Sequence, residues 1–487
     1  MTKLYTLLAG LVLLCIYPSL AQTPFSTVAM PASNVSRIMA ATNGEGDVCL
    51  VTFNTEATQF TIVDKHGQAV SSGKYPFNFS SGSTMLGAIG LPDKFILFDQ
   101  IQDGLTSLQP YKLDRGTGKV YALNTVQAVP DEKSKLVKTF STNGRFYALY
   151  MNKKSGTLYL SIFKDEHEPE VRTYVLDDKR MYERLLRNGE LQVMEPGLDQ
   201  NMHSNHYINK IYTYPDKLVL TFDLFENQDA PQRARTTEIL TLDLQQDKAS
   251  FTKLPYLLDM KGLTFNSYLH QNKLYRFIIT KKDLQLEVYD LATEKILKHY
   301  YYSENDSIGI MTAGVFRVGT ANSWSPHPDT LQTTSKVLRK MGYGYPAIAV
   351  DALDDNRLQL TIGTYQIQQS KNSTIAGGVG RGIASAAGPA ALPLMMVGMA
   401  LQATSYALAD GAGVSTYFQS VLSADTQEAL HGSPRTSLQE KIREYETLLS
   451  VQKVKMGGAL LYTYQGQVHY AYLDKKQQQL VITSFSK

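Results

Sequence analysis

The chain has 487 residues, 43% of them apolar and 19% charged, a globular balance that excludes a mostly disordered or collagen-like polymer. Its 48 Lys and Arg stand against 45 Asp and Glu, a net charge of +3, so no chain-wide basic field points to nucleic acid. The two cysteines, Cys15 and Cys49, make no disulfide framework.

Met1–Ala21 reads as a secretory signal. Lys3 supplies a short positive n-region, Leu4–Ile16 an uncharged apolar core, and Ser19-Leu20-Ala21 small residues at the cleavage positions. Cleavage is expected after Ala21, before Gln22, and Pro18 favours cleavage over a retained anchor. Leu14 precedes Cys15 where a lipidation signal wants Gly, Ala or Ser, which sets a lipid anchor aside. Removing 21 residues leaves 466, with a net charge of +2 and one thiol. That thiol, Cys49, sits in the apolar run Val48-Cys49-Leu50-Val51 and is expected to be buried. The expected location is the periplasm or the extracellular space, in association with the envelope.

From residue 22 onward, short alternating runs rich in Tyr, Val, Leu, Phe and Thr recur as half-buried strands do. An Asp follows such a run at Asp64, Asp114, Asp165, Asp243, Asp290, Asp425 and Asp474, with steps of 50, 51, 78, 47, 135 and 49 residues. Asp at the start of a turn accepts from its own backbone two residues on. A second turn signal precedes each Asp by one hairpin: Gly46-Asp47, Asp93-Lys94, Gly144-Arg145, Asp216-Lys217, Asn272-Lys273, Asn356-Arg357 and Gly457-Gly458. Lys273–Asp290 shows strand, turn and strand cleanly, with Lys281-Lys282-Asp283 between. A fifty-residue period of this kind marks blades of four strands. The unit resembles the generic blade of β-propeller proteins, most closely at Val288-Tyr289-Asp290-Leu291-Ala292-Thr293-Glu294-Lys295-Ile296. The Trp-Asp ending of WD repeats, the paired glycines of kelch repeats and the Trp-rich docking segments of quinone-dependent dehydrogenases are all missing. The resemblance therefore implies an architecture and no active site.

The expected fold is all-β, a seven-bladed β-propeller spanning 22–487 as one domain, with α-helical insertions. Innermost strands should line a channel, and Gln479–Phe485 should form an outer edge.

Two insertions account for the long steps. The first, between Asp165 and Asp243, holds a short helix candidate at Lys179–Asn188 and then Met202-His203-Ser204-Asn205-His206. His203 and His206 have a spacing that suits zinc on a helix, but the segment reads as a loop with no acidic or Cys partner, and two surface or hydrogen-bonding histidines are expected. The second, 369–413, falls within the sixth blade. Its Gly382–Ala409 is 28 residues without a charge, long enough for a membrane span. Small residues recur every four at Gly378, Gly382, Ala386 and Ala390, a close-packing spacing. Pro389 and Pro393 interrupt it, so two short helices meeting there are expected. Leu392, Leu394, Met395, Met396, Val397, Met399 and Leu401 would be its membrane or partner contact, unless the propeller covers them. A helical insertion at 426–455 follows, with Ser437–Val451 an amphipathic helix. Ser437 and Glu440 supply a capping box, and Leu438, Ile442, Tyr445, Leu448 and Leu449 an apolar stripe.

Catalytic motifs are absent from the sequence: no Gly-x-Ser-x-Gly, no His-Glu-x-x-His, no phosphate-binding glycine loop. Asp351, Asp354 and Asp355 lack the glycine and distant Glu of a calcium loop. Trp324-Ser-Pro-His327-Pro is a distinctive loop in which Trp324 and His327 are candidate ligand contacts. No cofactor and no metal is implied. The reading that follows is a non-enzymatic, monomeric envelope module that binds or scaffolds a protein, a glycan or a membrane surface. The alternative is an exported glycan- or peptide-active hydrolase or lyase with its site at the channel. Converging carboxylates or a His cluster in the channel would separate the two.

Overall fold

The computed structural model describes residues 22–30, 35–54, 58–75, 85–101, 104–176, 181–186, 191–194, 202–225, 235–255, 264–318, 333–353, 356–367 and 413–486. They form seven sheets in sequence, and the fold is an all-β propeller. From the innermost strand outward, the first blade is Val35–Thr42, Val48–Asn54, Thr58–Val63 and Ala69–Lys74. The second is Met85–Gly90, Lys94–Ile101 and Gly104–Asp114, with Val120–Ala122 and Val126–Gln127 both on the outer side of the last. The third is Lys135–Thr142, Arg145–Asn152, Thr157–Phe163 and Glu170–Val175. The fourth has Asn209–Thr213, Lys217–Phe225, Arg235–Asp243 and Ala249–Pro255, plus Leu191–Met194 pairing parallel on the inner side of Asn209–Thr213. The fifth is Thr264–His270, Lys273–Ile279, Asp283–Asp290 and Lys295–Ser303. In the sixth, Tyr345–Ala352, Arg357–Ile367 and Gly413–Ser423 are followed outward by Phe316–Val318, which comes earlier in the chain.

Burial follows from the stacking. A middle strand such as Thr58–Val63 is covered on both faces and buried throughout, whereas the outer strands Ala69–Lys74 and Lys295–Ser303 are mostly wet. This is why the middle strands read as near-continuous apolar runs and the outer ones do not. Cys49 is fully buried beside Phe53, Phe60 and Phe95 between the first two blades, and burial pushes its thiol far above the ordinary range.

The seventh blade closes the ring. It runs Met456–Tyr464, Gln467–Asp474 and Gln479–Phe485, and its outermost strand is the N-terminal Gln22–Ala29, antiparallel with Gln22 opposite Phe485 and Ala29 opposite Gln479. Gln479–Phe485 is thus an inner member and not the expected outer edge. The physical reason is that an exposed ladder is satisfied by whichever strand can pair with it, and the first strand of the chain does so. Its bulge lies between Pro24 and Ser26, at the residue that lacks an N–H.

Six of the seven second turn signals lie between the first and second strands of their blades. In the two-residue turn of the third blade, Asn143 and Gly144 are both at positive φ. Asp64, Asp114, Asp165, Asp243 and Asp290 all begin third-to-fourth turns, on the same face of the propeller. Their carboxylates accept backbone N–H groups two or three residues on. The seventh repeat departs from the pattern. Gly457-Gly458 forms a bulge inside the first strand, and Asp474 starts the second-to-third turn, on the opposite face. The 49-residue step from Asp425 to Asp474 looks regular because a helix takes the place of two strands.

Four helices lie among the described residues: α1 (Met181–Leu186), α2 (Met202–Asn205), α3 (Thr334–Met341) and α4 (Leu438–Val451). The Ser437 hydroxyl accepts from the Glu440 N–H at 3.2 Å, and the Glu440 carboxylate accepts from the Ser437 N–H at 2.8 Å. Leu438, Ile442 and Leu449 pack on Leu461, Val468, Tyr470 and Phe485, the face of the seventh blade turned away from the first. Apolar clusters join the seventh blade to the first and each neighbouring pair through the sixth. Among the described residues none joins the sixth to the seventh directly, because α4 and α2 fill that seam. Replacing Ser437 by Ala will remove the cap and cost about 1 kcal/mol, a fall in Tm of about 1–2 °C that calorimetry can read.

A candidate binding face at the sixth blade

The strand ends on the face opposite the Asp turns are those joined by the longer stretches of sequence: Phe225 to Arg235 and Ile367 to Gly413 between second and third strands, Val175 to Asn209 before the fourth blade, and Val318 to Tyr345 before the sixth. At this end of the sixth blade Tyr345 pairs with Tyr365, Ile367 with Gly413, and Val318 with Ser415. Trp324, His327 and Gly382–Ala409, with Leu392, Leu394, Met395, Met396, Val397, Met399 and Leu401, lie outside the described residues, as do Met1–Ala21, Asp354 and Asp355. The described chain nevertheless fixes where these segments depart: both long segments of the sixth blade leave from the Val318, Ile367 and Gly413 strand ends.

The insertion before the fourth blade reaches this place from inside the ring. Leu191–Met194 runs along the axial side of the fourth blade. Met202 of α2 is buried against Ala347, Ala349, Tyr365 and Tyr417 of the sixth. The segment expected as a loop is therefore a single helical turn, and burial of Met202 on a neighbouring sheet is what orders it. His203 and His206 do come together, with ring centroids 5.4 Å apart. They do so in an aromatic cluster. The His206 ring stacks on Tyr365 at 4.8 Å, lies 4.4 Å from Tyr207 and 5.8 Å from Tyr345, while His203 meets Tyr365 edge-on at 5.1 Å. His206 Nδ1 pairs with the His203 carbonyl oxygen. Burial, then the neighbouring His203, push the His206 pKa down to about 3, so the ring is neutral. Among the described residues no group of three His, Cys, Asp or Glu is placed to hold a metal ion.

Beneath the cluster lies a buried polar network. Lys210 donates to Asn266 Oδ1 at 2.5 Å and to the Ser267 carbonyl at 2.8 Å. Asn266 in turn donates to the carbonyls of His206 and Tyr207, both at 3.3 Å. Asp223 accepts from the Ser267 N–H at 2.7 Å, the Ser267 hydroxyl at 2.9 Å and the Thr237 hydroxyl at 2.6 Å. Burial lowers the Lys210 pKa to about 8, with Asp223 opposing. Burial raises that of Asp223, with Lys210 and its hydrogen bonds opposing. These groups hold the insertion in place across the fourth and fifth blades. Sequence reading missed Lys210, Asp223 and Asn266, whose only trace is a charged or amide side chain inside an apolar strand.

A separate open cleft of about 300 Å³ lies on the sixth–seventh seam, lined by Phe316, Tyr417, Arg435, Glu440 and Arg443 among others. Glu440 is already engaged there by the Tyr417 hydroxyl and the Ser437 N–H. Among the described residues no helix is long and apolar enough to cross a membrane.

No family model matches the chain, and no curated protein does. Among solved structures, it is similar to the Dos1 propeller, with 10% identity over 70% of this chain and 74% of that one and a TM-score of 0.30. Streptogramin B lyase is similar with 9% identity over 96% and 97%, TM-score 0.30. The Nup133 β-propeller domain of Vanderwaltozyma polyspora is similar with 8% identity over 56% and 75%, TM-score 0.27. Likenesses this distant carry no argument about activity, and the propeller assignment stands on the sheet order.

Proposed function

We propose that this chain is an exported envelope propeller that acts as a binding or scaffold module, and that it engages its partner through the long-connection face at the sixth blade. The observation that carries this reading is a convergence. The aromatic cluster of Tyr207, Tyr345, His203 and His206, the departure of the segment bearing Trp324 and His327, and that of the uncharged Gly382–Ala409 all fall at one end of one blade. Large aromatic side chains on a rigid frame are the usual anchors of an interface. Beside the fourth blade, the axial side where a channel enzyme would keep its site is taken up by Leu191–Met194. Export fits the ring closure in that every described strand of the blades lies from Gln22 onward.

Two measurements test this. Sequencing of the mature N-terminus from a bacterial host is expected to begin at Gln22, and an intact Met1 on soluble cytoplasmic protein would refute export. Deleting Ile375–Ala412 and bridging the hairpin is expected to leave a cooperative melt while abolishing co-sedimentation with envelope membranes. A deletion that unfolds the protein would show the segment to be core, and unchanged sedimentation would exclude it as the contact.

A further inference from the structure

We propose that this face lies on an anionic membrane surface through two basic corners that flank the sixth blade; the inference rests on the reading of this face as the contact surface. The first corner belongs to the seventh blade. Its second-to-third turn carries Lys475 and Lys476, and the chain between α4 and its first strand carries Lys453 and Lys455, all exposed. The two stretches are joined. The Lys475 N–H donates to the Lys455 carbonyl at 2.8 Å, and the Lys475 stem lies across Gly457, leaving no room there for a side chain. The Lys453 and Val454 N–H groups donate to the Ser450 and Leu449 carbonyls, both at 3.0 Å, which ties the stretch to the end of α4. The last residue of that helix, Val451, is 74% exposed.

The second corner stands on the seam of the fifth and sixth blades. Val337, Leu338 and Met341 of α3 are buried in the apolar cluster those blades share, which leaves Lys336, Arg339 and Lys340 exposed. Lys281 and Lys282 make the second-to-third turn of the fifth blade, and the Lys281 stem reaches the end of α3, 3.7 Å from where a Gly342 Cβ would stand. The residue after Gly342 is Tyr343, 69% exposed.

Strand direction puts both corners on one face. Among the described residues their carboxylates are fewer and engaged. At the first corner Asp474 accepts from the Lys476 and Gln477 N–H groups, and Glu446 from the Tyr470 hydroxyl. At the second, Glu304 lies 3.8 Å from Lys282, Asp283 accepts from the Tyr301 hydroxyl and Asp306 from Ser303. Both corners stay net positive, while the opposite face carries the Asp turns. A basic residue near a helix C-terminus is favourable by itself, which accounts for Lys453, Arg339 and Lys340. Lys281, Lys455, Lys475 and Lys476 lie on no helix.

Lysine is a point charge on a flexible stem, suited to many mobile phosphates more than to one fixed group. Basic side chains mixed with exposed apolar ones are the composition of an interfacial contact: the charges meet headgroups while Val451 and Tyr343 enter the acyl boundary. An acidic polysaccharide would satisfy the lysines and leave those two side chains wet.

The test is co-sedimentation of the purified protein with vesicles of phosphatidylcholine alone and of two parts phosphatidylcholine to one of phosphatidylglycerol. Binding is expected to the mixed vesicles only, and to be lost in about 0.5 M salt, which screens exposed charges. Lys475→Gln with Lys476→Gln, and Arg339→Gln with Lys340→Gln, should each weaken it by about 25-fold, roughly fivefold per charge removed, with an unchanged melting temperature. Val451→Ser should weaken it as well. Lys248→Gln with Lys295→Gln, which removes as much charge from the Asp-turn face, should leave it unchanged. The inference is overturned if neutral vesicles bind as well, if salt has no effect, if either pair at the corners binds like the parent, or if the control pair weakens binding equally. It is also overturned if a polygalacturonate hexamer binds in a lysine-dependent way while vesicles do not, the occupant then being an acidic glycan. Should vesicle binding be absent while deletion of Ile375–Ala412 still abolishes envelope association, the membrane fails and the contact face stands. Should both fail, the contact face goes with it.

Discussion

Replacing Asp223 by Ala will cost this protein about 3 kcal/mol, since it leaves the buried Lys210 charge without its nearby counter-charge and the Ser267 donors without their acceptor. Lys210 is fully buried, and its donors reach a neutral amide oxygen and a carbonyl. Asp223 is the negative group that offsets its burial. Without it the ammonium stays desolvated with no counter-charge, and the Ser267 N–H and hydroxyl lose the oxygen they share. Against a typical total of about 5–15 kcal/mol that is a large fraction, readable as a shift of the urea midpoint. The paired replacement Lys210→Met with Asp223→Leu removes both charges and should lose less than the single Asp223→Ala, because no orphan charge remains. A loss under about 1 kcal/mol in Asp223→Ala would mean that water or another group already neutralises Lys210, and the network would then not be what anchors the insertion.

The propeller was readable in the sequence because its tight turns are chemically specified. Asp64, Asp114, Asp165, Asp243 and Asp290 must accept N–H groups at a third-to-fourth turn, and few residues do that as well. The face bearing those turns is written in Asp, Asn and Gly. The opposite face is written in connection lengths, which follow no period, and it is there that the ring is elaborated. Ring closure was misread for a related reason. Pairing between Gln22–Ala29 and Gln479–Phe485 joins the two ends of the described chain and leaves no local signal. The seventh Asp kept the rhythm by accident of length, α4 having replaced two strands while Gly457-Gly458, read as a turn, supplied a bulge.

The candidate face was half legible. His203 and His206 stood out by spacing, and the structure does bring their rings together, but against Tyr345 and Tyr365 from two paired strands about 140–160 residues on. A stacking partner so distant carries no sequence pattern. Lys210, Asp223, Asn266 and Ser267 satisfy one another across two blades, so nothing in any one strand announces them. The helix Ser437–Val451 was fully legible, because its cap and its stripe are both local.

Acid should destabilise the protein in a window set by two buried histidines, and His469 provides the clean test. Its ring lies on the second strand of the closing blade, 4.8 Å from Phe25 of the N-terminal strand, 5.2 Å from Tyr462 and 5.8 Å from Tyr464, with Nδ1 3.0 Å from the Ser484 hydroxyl. Burial pushes its pKa down to about 4, and that of His206 to about 3, from an ordinary 6.5. In the unfolded chain both take up a proton as pH falls through 6.5, while in the folded chain both stay neutral until far lower. The unfolded state therefore binds more protons between those limits. Stability is intact above pH 6.5 and falls as pH drops toward 4 for His469 and toward 3 for His206. At about 1.4 kcal/mol per pKa unit the full loss is about 3 kcal/mol for His469 and about 5 kcal/mol for His206. Replacing His469 by Phe keeps the stacking and removes the proton site. The variant should lose about 1 kcal/mol at pH 7 with the Ser484 contact, and its urea midpoint should then decline less steeply than that of the parent between pH 6.5 and 4. Comparing the two curves cancels the carboxylates, which titrate in both. Parallel curves would show that the His469 ring reaches water in the folded ring, and that the seam where the N-terminal strand closes the propeller is open there.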